Sequence, residues 1–269
     1  MKQRSSEMKQ RSSEMNKMTV IAAITAIATV APAAYISDDF NRPDGTDLGQ
    51  TAEGISWVQY AYGGNDITLL NGAMNIHDSF NALYADGVPK IGNFVADMDI
   101  SRPSETWGST SYFIVNFRMG WKQELIAGGG TDNGYQLRYF SDDANELLWA
   151  ELYDDKGHHP GATGAEEYTL ASSSGSPISV ANADAAQHLT VSAIGSVISV
   201  ALNGSEVINY DATGDNNPAA TGEGYISFQA ASNRDFSMDN LQVIPEPATF
   251  GLLCISSLGL LFARKVLLL

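Results

Sequence analysis

One cysteine, Cys254, serves a chain of 269 residues, and it lies in an apolar tail. No intramolecular disulfide is possible, so the core must stabilise the fold, with a structural cation as a second candidate source. Basic side chains are scarce too: 15 Lys+Arg stand against 31 Asp+Glu, for a net charge of −16. The ends hide how acidic the middle is. Residues 34–244 hold 8 Lys+Arg and 28 Asp+Glu, a charge of −20. Such a surface repels nucleic acid and anionic lipid, so no nucleic-acid partner is expected. It suits cations, neutral sugars or plain solubility. Helical periodicity is missing as well, save weakly around 182–187. No serine lies in Gly-x-Ser-x-Gly, and Gly128-Gly129-Gly130 has no lysine after it to make a phosphate loop.

What is there falls into four segments. Residues 1–14 are MKQRSSE written twice, a polar duplication read as repeated upstream frame, with the functional start expected at Met15 or Met18. Residues 15–33 read as a signal peptide. Lys17 supplies the positive region, and 18–30 form an apolar run within the ~7–15 residues of a secretory leader. Ala31-Pro32-Ala33 puts small residues at a cleavage site after Ala33 or Ala34. The body, 34–243, is expected to be one β-sandwich domain. The tail, 244–269, contains an uncharged run over 248–263 followed at once by Arg264 and Lys265. As a helix that run spans ~24 Å, slightly short of the ~30 Å hydrocarbon core. The basic pair then stays on the cytoplasmic side.

The tail resembles the PEP-CTERM sorting signal. The matching residues are Pro245-Glu246-Pro247, the Ala-Thr-Phe-Gly-Leu-Leu start of the run, and Arg264-Lys265. Here Val266-Leu267-Leu268-Leu269 follow the basic pair, a departure from the pattern. The resemblance implies export through the secretion translocon and cleavage by signal peptidase. It further implies transient anchoring in the inner membrane of a Gram-negative bacterium. An exosortase-type membrane protease would then process the protein for the cell surface or extracellular matrix, among exopolysaccharide or biofilm.

Between the two ends every signal is β. Residues 111–119, SYFIVNFRM, alternate apolar and polar, and GYQLRYF (134–140) and ELLWAELYD (146–154) follow. Residues 188–211 hold three short strands, turned at Ile194-Gly195-Ser196 and at Asn203-Gly204. GYISFQAA and FSMDNLQV finish the body. Many short strands without helix predict an all-β antiparallel sandwich. The opening DDFNRPDGTDLGQT with Trp57, and the late hairpin and closing strands, resemble concanavalin A-like, laminin G-like jelly-roll domains. The whole chain is therefore expected to be a jelly-roll sandwich with an N-terminal signal helix and a C-terminal transmembrane helix.

Glucanases of that fold carry Glu-x-Asp-x-x-Glu on one strand, and this chain has no such triplet. Asp97-Met98-Asp99 has the alternate spacing without a third carboxylate. His158-His159 sits in a polar loop. The body is therefore expected to be non-enzymatic, a structural or carbohydrate-binding module. The alternative is a glycosidase or lyase on the same fold. Alternation sets Asn116, Arg118, Gln136, Arg138, Trp149 and Glu151 opposite the apolar face, where an aromatic ring and planar polar groups suit a sugar. Two readings stay open: exopolysaccharide contact, or ordinary outward residues with Trp149 turned into the core. Asp38 and Asp39 on the first strand, and Asp239 and Asn240 on the last, offer oxygens for a structural calcium ion. A strand-end polar cluster accounts for them equally.

Overall fold

The computed structural model describes residues 34–60, 67–76, 81–102, 112–119, 134–142, 145–154, 168–215, 222–231 and 235–245. The duplicated heptad, the leader, the tail from Glu246 through Arg264 and Lys265, and the His158-His159 loop lie outside the described residues. Among the described residues no helix is long and apolar enough to cross a membrane. Ala34–Pro245 forms one compact unit.

The strands, in chain order, begin with β1 (Ile36–Asp38), β2 (Trp57–Tyr60), β3 (Thr68–Leu70), β4 (Ala73–Ile76), β5 (Asn81–Ala85), β6 (Phe94–Ser101), β7 (Tyr112–Met119) and β8 (Tyr135–Asp142). They continue with β9 (Leu147–Asp154), β10 (Tyr168–Ser172), β11 (Ile178–Ser179), β12 (Gln187–Ile194), β13 (Val197–Leu202), β14 (Ser205–Asp211), β15 (Tyr225–Ala231) and β16 (Phe236–Pro245). All pairings are antiparallel. The first sheet runs β14-β13-β12-β6-β16-β4-β3, with β1 also on β16. The second runs β10-β9-β8-β7-β15-β5-β2, with β11 also on β9.

Alternation builds the core. β6 turns Phe94, Ala96, Met98 and Ile100 inward, and β8 and β9 answer with Tyr135, Leu137 and Tyr139, and Leu148, Ala150 and Leu152. Rings span the gap between sheets: Phe113 of β7 lies 6.0 Å from Phe236 of β16, and Phe117 meets Phe94 edge-on at 5.8 Å. Each such side chain contributes ~1.5–3 kcal/mol by leaving water. The β13–β14 hairpin turns as its sequence predicts. Asn203 and Gly204 have φ of 50° and 77°, the pair of positive values that a type I′ turn needs. The weak helical pattern at 182–187 is instead a turn. The Asn182 side chain accepts from the backbone N–H groups of Asp184 and Ala185, which holds the chain before β12.

The opening motif is a structural clamp. Arg42 donates to both oxygens of Asp38, at 2.9 and 2.8 Å, and Trp57 Nε1 donates to Asp38 Oδ2 at 2.6 Å. Arg42 also donates to the carbonyls of Leu48 and Gln50. One buried carboxylate thereby ties β1, the following loop and β2 together. At the other end β16 runs to Pro245, two residues past the expected boundary at Val243. Proline fits there because it is the last rung, opposite Phe94, where the strand needs no further N–H.

Candidate functional site

The outward face of the second sheet carries most of the polar residues picked out by alternation. Ser227, Asn116, Gln136 and Tyr153 stand side by side on β15, β7, β8 and β9. The next row is Gln229, Ile114, Arg138, Glu151 and Ser172, reaching β10. Beyond it lies Tyr112, Phe140 and Trp149.

The first two rows are wired in one direction. Arg138 Nε donates to Gln136 Oε1 at 2.5 Å, Gln136 Nε2 to Asn116 Oδ1 at 3.2 Å, and Asn116 Nδ2 to Ser227 Oγ at 3.2 Å. Each amide both accepts and donates, so neither can turn over without losing two bonds. Arg138 is also clamped between rings, with its guanidinium carbon 4.8 Å from the Tyr112 centroid and 4.1 Å from that of Tyr153. Tyr153 donates its hydroxyl to Glu151, which accepts from Ser172 as well, at 3.3 Å. Asn116 and Ser227 face away from the core yet are 1% and 0% exposed. A polar floor so deeply set is hydrogen-bonded throughout, as burial demands.

Trp149 points outward: its neighbours Leu148 and Ala150 enter the core and it does not. Its ring stacks on Phe140 at 5.0 Å, with planes 3° apart. One indole face is thus covered, and Trp149 extends an aromatic row.

Arg118 is not on this face. The register of β7 against β15 slips between Tyr225 and Ser227, so β7 carries a bulge, and Arg118 sits there with φ of 54°. The bulge breaks the alternation that sets Arg118 beside Asn116. Its side chain is buried and reaches two turns: Nε donates to the Gly92 carbonyl at 3.2 Å and Nη2 to that of Gly195 at 2.7 Å. Gly195 turns β12 into β13, so Arg118 ties the second sheet to the first. Burial holds its pKa below the usual guanidinium value.

The four oxygen-bearing residues at the chain ends are brought to one sheet, because β1 pairs with β16. Both oxygens of Asp38 are occupied by Arg42 and Trp57. Asp39 accepts from the Asn41 backbone, Asp239 from the Asn240 backbone, and Asn240 donates to Asp99. Burial, then the carboxylates of Asp99, Asp39 and Asp38, raise the Asp239 pKa. Among the described residues no group of three or more His, Cys, Asp or Glu side chains is placed to hold a metal. Asp97 and Asp99 do share one face, on the first sheet, where His188 lies 3.5 Å and 2.9 Å from them.

Among the described residues, two carboxylates of this face, Glu151 and Asp142, stand far apart. Glycoside hydrolysis needs two carboxyl groups about 5–9.5 Å apart. Asp142 stands across from Leu147, four residues along β9 from Glu151, which is about 13 Å of strand. Burial first, then the bond to Glu151, raises the Tyr153 pKa. Several residues here escape a reading from charge and tryptophan alone: Tyr112, Tyr153, Ser227 and Gln229. Strand parity was the signal that could have found them.

No protein-family model and no curated protein matches this chain. Solved structures do resemble it. A Bacillus subtilis protein of unknown function with a galectin-like fold superposes with a TM-score of 0.54 at 10% identity, over 80% of this chain and 97% of that one. An alginate lyase in complex with an alginate trisaccharide gives 0.52 at 13% identity, over 81% and 100%. The endo-β-1,3-glucanase of Pyrococcus furiosus gives 0.51 at 14% identity, over 78% and 92%. Likeness at such low identity shows the fold, an antiparallel two-sheet sandwich.

Proposed function

We propose that this is an exported cell-surface or matrix protein whose sandwich binds a polysaccharide across the outward face of the second sheet. The observation that carries the reading is the wired row Arg138–Gln136–Asn116–Ser227, with Arg138 held between Tyr112 and Tyr153. Sugar hydroxyls pair with the Gln136 amide and the Arg138 guanidinium, which buried Asn116 and Ser227 hold in place from beneath, and sugar ring faces pack on tyrosine and tryptophan. A preformed network loses little freedom on binding. Two of the solved structures that resemble it add support, an alginate lyase in complex with an alginate trisaccharide and an endo-β-1,3-glucanase. The leader, Pro245-Glu246-Pro247, the apolar run and Arg264-Lys265 support delivery by the translocon, signal peptidase and an exosortase-type protease.

The competing reading is a lyase or glycosidase on the same fold, with Tyr153 and Glu151 beside Arg138 as its reacting pair. The wide spacing of Glu151 and Asp142 among the described residues favours binding without turnover. The test is a glycan array probed with the Ala34–Pro245 unit and with Arg138→Ala, followed by product analysis of any bound glycan. Binding lost in Arg138→Ala, with the glycan recovered intact, is expected. New reducing ends or unsaturated products would establish the enzyme instead.

A further inference from the structure

A cavity of about 410 Å³ opens at the edge of the sandwich, between the turn after β10 and the start of β14. Its walls include Ser172, Ser176, Ile178, Ser205, Glu206 and Val207. β10 edges the second sheet and β14 edges the first, so the cavity lies in the seam where the sheets meet. Its volume falls within the ~300–1,000 Å³ of small-ligand sites.

Ser172 belongs both to this cavity and to the polar face. Its hydroxyl donates to Glu151 and lies 2.8 Å from that of Ser174. Glu151 accepts from Tyr153, whose ring flanks Arg138. A line of polar contacts therefore crosses β15, β7, β8, β9 and β10 and ends at the cavity mouth. Its accessible part, Gln136 and Arg138 on β8, Glu151 and Tyr153 on β9 and Ser172 on β10, spans about 10 Å, room for about two sugar rings leading to the cavity. Beyond Ser172 the β14 edge, with Glu206 and Val207, forms the far wall of the cavity.

The walls select a ligand class. Serine hydroxyls both donate and accept, and ionised Glu206 only accepts. Asn209 Nδ2 lies 3.3 Å from each Glu206 oxygen and steadies it. Ile178 and Val207 give an apolar wall for the C–H face of a pyranose. Ser173 stays out of ligand contact, because its hydroxyl is spent on the Ala150 backbone, where it fixes the turn. Among the described lining residues there is no Lys, Arg or His, so a sugar carboxylate would meet Glu206 with no cation to offset it.

We infer that the cavity is a terminal subsite, taking a neutral hexose at the end of a glycan laid across the second sheet. This rests on the glycan role proposed for that face. The test is calorimetric titration of the Ala34–Pro245 unit with a ladder of linear β-1,3-gluco-oligosaccharides, disaccharide to octasaccharide, and a matching alginate ladder. Two variants accompany the wild type. Ser176→Trp fills the cavity from an exposed turn, and Glu206→Ala removes its acceptor. Melting temperatures equal to wild type verify that both are folded.

Wild-type affinity for the neutral ladder is expected to rise with length and then level off. Each variant should lose roughly tenfold on the longest neutral members. Alginate members should gain nothing from the cavity. Binding that depends on Arg138 but is identical in wild type and both variants at every length overturns the terminal subsite and leaves the face. No binding by any member of either ladder overturns both.

Discussion

Replacing Arg118 with methionine removes a guanidinium while keeping an unbranched stem. In the native sandwich that guanidinium donates to the carbonyls of Gly92 and Gly195. Each bond from a charged donor contributes ~1.5–3 kcal/mol, so the two together contribute ~3–6 kcal/mol. Burial works against part of this. The lowered Arg118 pKa reflects hydration already lost by the native side chain, and methionine escapes that penalty. The lower end, ~3 kcal/mol, is therefore expected. For a unit of this size each kcal/mol moves the melting point by about 2–4 °C, giving a fall of about 6–12 °C. Scanning calorimetry of the Ala34–Pro245 unit reads it directly. Arg118→Lys should recover only part, since one ammonium lacks the fork that reaches both carbonyls. A fall under about 2 °C would refute the latch, because the two carbonyls would then need no donor. Glycan affinity measured well below the melt should be unchanged in Arg118→Met, which separates it from Arg138→Ala.

Other substitutions probe other joints. A β-carbon on Gly224 would lie 2.0 Å from the Arg118 carbonyl carbon and 2.4 Å from its Cα. Backbone cannot yield as a side chain does, so Gly224→Ala should lose about 3 kcal/mol or more, seen as a lower denaturant midpoint. Trp57→Phe deletes the 2.6 Å bond to Asp38 and should cost about 2 kcal/mol in the same assay. Asp239 has a raised folded-state pKa, so its native carboxyl holds the proton more tightly than the unfolded one. Stability from this group therefore falls as pH rises through the window from the unfolded to the folded pKa. Asp239→Asn should melt above wild type at neutral pH, with the gain vanishing in acid below the ordinary carboxylate range. An equal gain at both pH values would contradict that sign.

Local features of the sandwich were legible in the sequence because they rest on neighbouring residues. Alternation alone sets β7 through β9, and Asn203-Gly204 turns one hairpin with both φ values positive. Parity also puts Asn116, Gln136, Arg138, Trp149 and Glu151 on one face. What escaped depends on distant pairings. Nothing in β6 announces that it lies between β12 and β16, since those partners are chosen by the packing of both sheets. The bulge at Arg118 forms against β15, and a single extra residue there breaks the parity argument after Phe117. The Asp38 carboxylate reads as a cation ligand until its partners are known, because Arg42 and Trp57 reach it only once the loop has closed. The clamp on Arg138 needs Tyr112 and Tyr153 from the two flanking strands, so neither strand's sequence reveals it.

The central claim is that the wired face of the second sheet binds a glycan. It is tested most directly by titrating the strongest array hit into three proteins side by side: wild type, Arg138→Ala and Arg118→Met. The account predicts that Arg138→Ala, titrated well below its melting point, loses roughly tenfold or more in affinity. Arg118→Met should melt early yet bind as wild type does. Equal affinity in all three, or a loss in Arg118→Met that matches the loss in Arg138→Ala, would contradict it.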